Sequence, residues 1–240
     1  MILKIEPCYH FYFKSLIIPF IAYKCQRTKD RLLHEGVPDS VVTIIQVLHA
    51  NDKLSYCATR LLKVLSVCPN NKARIVESGG IYILGNVIDM NLQSETPRRQ
   101  TNTLHALYTL RNLSDEASKR SREINYQKII EVLMKLIQRK QPNEQVKRGL
   151  SMNILYNLIC RNYQNKGTTP TLRLRIIYEY LVLVIGNFNG IDILIKLIDH
   201  IISMKPKSDD KNSISDLESC ISTLRILTKG QRIRYIQVLN

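Results

Sequence analysis

Tryptophan is absent from the 240 residues, and glycine and proline are sparse, at nine and eight. So little of both excludes collagen and most low-complexity classes. The six cysteines, Cys8, Cys25, Cys57, Cys68, Cys160 and Cys220, are scattered and contain no CxxC pair. That argues against a zinc site and a disulfide framework, and points to a reducing compartment. The five histidines, His10, His34, His49, His105 and His200, form no HExxH. There is no P-loop, GxGxxG or GxSxG, and Gly79-Gly80 lacks the lysine-serine that would make it a phosphate loop. Neither an enzyme nor a cofactor is expected. No apolar run approaches the roughly 18 residues of a membrane helix. Phe11-Tyr12-Phe13 and Leu16-Ile17-Ile18 are interrupted by Lys14 and followed by Pro19, so a buried helix is expected there and not a secretory leader. Both ends read as cut from something longer. Acid is also scarce: 20 carboxylates face 35 lysines and arginines, a formal charge of +15. Any partner is expected to be acidic: nucleic acid, an anionic membrane or an acidic peptide.

What the chain does have is 45 % apolar residues, enough for a sizeable core, arranged in a repeat. Amphipathic helices end in Pro19-Phe20-Ile21-Ala22-Tyr23, Leu62-Lys63-Val64-Leu65-Ser66, Leu110-Arg111-Asn112-Leu113-Ser114, Tyr156-Asn157-Leu158-Ile159 and Leu224-Arg225-Ile226-Leu227-Thr228. The equivalent positions Ala22, Leu65, Leu113, Leu158 and Leu227 are separated by 43, 48, 45 and 69 residues. The first three steps match the period of about 40–47 of armadillo and HEAT repeats. Between them, Val41-Val42, Ile44-Ile45 and Val47-Leu48 follow Gly36. Ile81, Ile83-Leu84 and Val87-Ile88 follow Gly79-Gly80. Each helix has one apolar stripe at i, i+3, i+4 and i+7, and glycine permits the sharp turn before it. The expected fold class is all-α: a right-handed armadillo-repeat α-solenoid of four to five repeats, in which neighbours bury faces that one repeat cannot. The whole of 1–240 reads as a single repeat domain. Its clear repeats cover 11–166, an irregular insertion 167–189, and a weaker repeat 190–232. Ser94 to Gln100 and Lys205 to Ser213 read as loops. The insertion carries the apolar tract Ile176 to Ile185. It reads as an inserted helix, as a tract that disrupts the stack or is an error in the coding sequence, or as a membrane or partner contact.

Three stretches resemble the central armadillo region of the β-catenin family. They are Arg60 to Cys68, running on through Asn71-Lys72 to Ile75-Val76-Glu77-Ser78-Gly79-Gly80; Tyr108-Thr109-Leu110-Arg111-Asn112-Leu113-Ser114-Asp115; and Asn157 to Lys166. The likeness runs from about Tyr23 to Lys166 and, more weakly, from Gly190 to Arg232, over the middle repeats of that family. It implies a groove for extended acidic peptides. Lys29 and Lys166 match the family's clamps for two separated acidic residues. Three repeats between them span roughly 25–30 Å, so the clamped acids should lie about eight or nine residues apart in a strand-like ligand. Lys53, Arg60 and Arg111 match further cationic positions. Asn112 and Asn157 match asparagines that bond a ligand backbone. Tyr56 and Tyr108 stand where the family has tryptophan. Tyr23, Cys160 and Arg225 match other groove positions, and Ile226 departs from a histidine.

The partners so implied are acidic segments of cadherin tails, TCF-type transcription factors and destruction-complex scaffolds, with roles in Wnt signalling, transcriptional coactivation and cell adhesion. The places implied are cytoplasm, nucleus and cell junctions. The rival readings are an importin-like adaptor, a basic nucleic-acid-binding solenoid, and a truncated fragment without function of its own. An importin-like groove needs acid, which a +15 chain does not favour.

Overall fold

The computed structural model describes residues 21–23, 25–48, 51–94, 96–119, 126–139, 144–164, 190–203, 214, 217–218, 220–225 and 227; the side chains of 118–119 and 159–164 are outside that description. The stretch 11–20, the insertion 167–189, the loop at 205–213, Ile226 and Lys166 all lie outside the described residues. The chain forms two compact units, Met1–Glu116 and Ala117–Asn240.

In the first unit the helices come in short–medium–long sets. The first set is α1 (Gln26–His34), α2 (Val37–Leu48) and α3 (Asp52–Leu65). The second is α4 (Pro69–Glu77), α5 (Gly80–Asn91) and α6 (Pro97–Lys119), whose last turn runs past the unit's end. Gly36 and Gly79, at φ 68° and 81°, make the turn from the short to the medium helix of each set. Asn51 caps α3, its Oδ1 accepting from the N–H groups of Lys53 and Leu54 at 3.2 Å, which satisfies two donors of the first turn. Pro69 opens α4, where its missing N–H costs nothing. Pro97 does the same for α6. The expected loop at Ser94 to Gln100 is therefore shorter, with Pro97 to Gln100 already helical. Its polar residues belong to a solvated first turn.

The second unit contains α7 (Tyr126–Ile137), α8 (Gln145–Gln164) and α9 (Gly190–Ser203). Helix α7 packs against both α8 and α9. Its Tyr126 is buried and donates its hydroxyl to the Ala117 carbonyl at 2.7 Å; burial pushes that phenol's pKa up.

The repeat anchors are the core. Ala22, Leu65 and Leu113 are fully buried, and Leu158 and Leu227 nearly so. Leu61, Leu62, Ile75, Leu84 and Ile88 complete the interior of the first unit. No helix among the described residues is long and apolar enough to cross a membrane.

Candidate functional site

Helices α3 and α6 are equivalent members of successive repeats and lie side by side in parallel register. Arg99 Nε donates to Asp52 at 2.9–3.0 Å, Asn102 Nδ2 to Ser55 Oγ at 3.1 Å, and Asn112 Nδ2 to Ser66 Oγ at 3.0 Å. This ladder runs from the first turn of each helix toward the last. It brings two side-chain stripes together: Tyr56, Arg60 and Lys63 from α3, and His105, Tyr108 and Arg111 from α6. The spacing of three or four residues puts each set on one helix face.

The rings of Tyr56 and His105 meet with centroids 5.2 Å apart. Lys63 Nζ sits 4.6 Å from the Tyr108 ring centroid, and Arg111 Cζ 5.2 Å from it. One tyrosine ring therefore attracts two cations through its negative π face. Arg60 acts electrostatically on both Lys63 and His105. Among the described residues no carboxylate pairs with Lys63 or Arg111. Burial, then the charges of Arg60 and Arg111, lower the Lys63 pKa. Burial, then Lys63 and Arg60, lower His105 to about 4. The imidazole is thus neutral at physiological pH, and its Nδ1 is buried without a hydrogen-bond partner. Three like charges held around two rings make a site of positive potential that an anion would relieve.

His105 sets a pH dependence. Its folded pKa lies below the ordinary 6.5, so the unfolded chain takes up this proton first. Stability from this group is complete above about pH 6.5 and is lost as pH falls toward 4. Urea midpoints measured across that window should fall less steeply for His105→Asn than for the parent chain.

Lys29, at the expected clamp position, is only 6 % exposed, on α1, which packs against both α2 and α4. Asn71 Nδ2 from α4 donates to the Lys29 carbonyl at 3.5 Å. Among the described residues no carboxylate pairs with its ammonium.

The structure brings together Tyr56, Arg60, Tyr108, Arg111 and Asn112. Lys53 is exposed in the first turn of α3, and Tyr23 is 67 % exposed. Asn112 gives one N–H to Ser66, leaving its second N–H and its carbonyl for other partners. In the second unit, Asn157 Nδ2 donates to Asn153 Oδ1 at 3.2 Å, and Arg225 is exposed. Cys160 lies on α8, but its side chain is outside the described residues, as is the whole of Lys166.

Lys63 and His105 were missed in the sequence. The signal was present: Lys63 follows Tyr56 by seven residues, and His105 precedes Tyr108 by three, each completing a stripe.

No protein-family model matches the chain. Its curated homologues include junction plakoglobin of Homo sapiens, 37 % identical over 150 residues, which are 62 % of this chain and 18 % of that protein. Catenin beta of Urechis caupo is 34 % identical over 63 % of this chain and 17 % of its own length. The armadillo segment polarity protein of Musca domestica is 37 % identical over 49 % and 13 %. The chain thus spans under a fifth of the length of these relatives. Among solved structures, one concerns a conserved phosphorylation switch that controls the interaction between cadherin and β-catenin. It superposes with a TM-score of 0.64 at 22 % identity, covering 92 % of this chain and 36 % of that one. An engineered protein superposes at 0.52 with 17 % identity, covering 91 % and 90 %. The resemblance read from the sequence is borne out, and the fold is the all-α armadillo solenoid.

Proposed function

We propose that this chain, a homologue of the plakoglobins and β-catenins, is an armadillo scaffold that holds extended acidic segments of partner proteins against its α3–α6 face. The observation that carries this reading is the pair of cations Lys63 and Arg111 on the Tyr108 ring, with the charge of Arg60 acting on Lys63 and His105 and no carboxylate among the described residues pairing Lys63 or Arg111. Packing like charges together is costly unless something anionic occupies the site in function. A cadherin-tail segment has the required chemistry. The cadherin–β-catenin structure concerns a phosphorylation switch, and a phosphoserine brings about −1.5 to −2 charges and three acceptor oxygens. Acidic segments of TCF-type transcription factors and destruction-complex scaffolds would use the same face and so compete.

By resemblance Lys29 is a second cationic point, and Lys53, Tyr56 and Asn112 are further contacts. Tyr23 in the first unit, and Asn157, Cys160, Lys166 and Arg225 in the second, are further peptide contacts by resemblance. The role is binding and not catalysis. It places the protein in Wnt signalling, transcriptional coactivation and adhesion, in the cytoplasm, the nucleus and at cell junctions.

Calorimetry with a phosphorylated cadherin-tail peptide and an acidic TCF N-terminal peptide tests this. Each should bind and each should displace the other. Arg111→Ala, at an exposed cation of the site, should weaken both about five-fold, near the upper end for one exposed ion pair. Absence of binding by both peptides, or independent binding of the two, would overturn the reading.

A further inference from the structure

We propose that Thr96 is a phosphorylation site for a proline-directed protein kinase, and that its phosphate draws Arg99 away from Asp52. The chain has eight prolines, and of these Pro97 and Pro170 alone follow a hydroxyl residue, Thr96 and Thr169. Thr96-Pro97 continues into Arg98-Arg99, whereas Thr169-Pro170 continues into Thr171-Leu172. Proline after the acceptor hydroxyl brings no N–H to be left unpaired in a kinase cleft that offers it no partner. The two arginines beyond it supply the kind of charge pattern by which kinases discriminate substrates.

The structure puts this sequence within reach. Thr96, Pro97 and Arg98 are exposed, where the turn after α5 gives way to α6. The Thr96 hydroxyl lies 3.1 Å from that of Ser94, and the Thr96 carbonyl accepts from the Gln100 N–H at 3.0 Å, so the helix begins from this residue. A kinase binds its substrate extended, and the first turn of α6 must open for it. That turn is fastened to α3 by Arg99 and Asp52, whose side chains are each 39 % exposed. An ion pair so open to water contributes little and is readily released. Tyr108 lies twelve residues further on, about 18 Å along the helix, so the site does not depend on the peptide-binding reading.

In the transfer, the Thr96 hydroxyl oxygen attacks the γ-phosphorus of ATP. The bond from that phosphorus to the oxygen bridging to the β-phosphate breaks, ADP leaves, and the hydroxyl proton passes to a base of the kinase. The new group carries about −1.5 to −2 charges, more than the single charge of Asp52. It stands three residues before Arg99, the spacing of neighbours on one helix face. The N–H groups of a helix's first turn have no partner inside the helix, and its dipole favours an anion there. Arg99 therefore exchanges Asp52 for the phosphate, and the first rung between α3 and α6 opens.

The test is incubation of the folded full chain with ATP and a kinase of the cyclin-dependent class, the phosphate being located by mass spectrometry. A synthetic peptide of residues 92–103 shows that the kinase accepts the motif. Thr96 should be phosphorylated and Thr169 should not. Thr96→Ala should abolish incorporation, and Arg98→Ala/Arg99→Ala should slow it several-fold. In nitrogen-15 NMR the Arg99 Nε–H resonance, identified by its loss in Arg99→Lys, should move on phosphorylation. The proposal is overturned if the kinase ignores the peptide, or modifies the peptide but not the folded chain. Phosphate on Thr169 in place of Thr96, or an Arg99 resonance unmoved in the phosphorylated chain, would overturn it as well.

Discussion

Reversing charge at Lys63 and Arg111 together, as Lys63→Glu/Arg111→Glu, is expected to weaken an acidic peptide by about 100-fold or more in calorimetry. Both cations lean on the Tyr108 ring, at 4.6 and 5.2 Å from its centroid. Removing one exposed ion pair is worth only about 0.2–1 kcal/mol. Reversal goes further, because it sets two carboxylates against an acidic ligand, and like charges in an interface cost several kcal/mol. The same change should leave the fold intact. Burial and the neighbours Arg60 and Arg111 already disfavour the charged form of Lys63, so removing positive charge relieves repulsion. An unchanged or slightly raised unfolding midpoint, with binding lost, separates a binding role from a structural one. Tyr108→Ala should cost less binding, since it removes the ring and leaves the cations.

The second large effect is on stability and comes from two adjacent glycines. Gly79 has φ 81°, and a Cβ there would meet nothing within 4 Å. Gly79→Ala therefore carries only left-handed backbone strain, about 1–2 kcal/mol. Gly80 has ordinary helical backbone, but a Cβ there would fall 2.7 Å from the Ile75 carbonyl oxygen and 2.5 Å from Ile75 Cγ2. The carbonyl is part of α4 and cannot rotate away, so α5 must move off α4. Gly80→Ala is expected to cost about 2–3 kcal/mol, in the range of overpacked cores. Chemical denaturation should rank Gly80→Ala below Gly79→Ala. The reverse order would show that the α4–α5 contact is looser than described.

The core was legible in the sequence because burial follows period. Ala22, Leu65, Leu113 and Leu158 recur at repeat spacing, and each is buried. Glycine before the medium helix was legible for a similar reason, since a turn needing positive φ admits few other residues. Val47 shows the limit: it lies in the apolar run of α2 yet is 68 % exposed. Hydrophobicity alone does not say which side of a helix faces a neighbour.

The candidate site was half legible. Arg60, Arg111, Tyr56 and Tyr108 were found through resemblance, whereas Lys63 and His105 were not. Their roles depend on which residue of α3 lies opposite which residue of α6. That register is fixed by the Asp52–Arg99, Ser55–Asn102 and Ser66–Asn112 bonds, with offsets of 47, 47 and 46 residues. No single helix contains this information. The burial of Lys29, 6 % exposed, was not legible, because a lysine's charge gives no sign of the packing around α1.

Photo-cross-linking tests the central claim most directly. A phosphorylated acidic cadherin-tail peptide would carry a benzophenone beside its acidic residues, and the adducts would be mapped by mass spectrometry. The account predicts adducts on the α3 and α6 stripes, from Tyr56 to Lys63 and from His105 to Arg111, suppressed by excess unlabelled peptide. Adducts concentrated instead on exposed residues of the medium helices, such as Val47 of α2 or Tyr82 of α5, would contradict it.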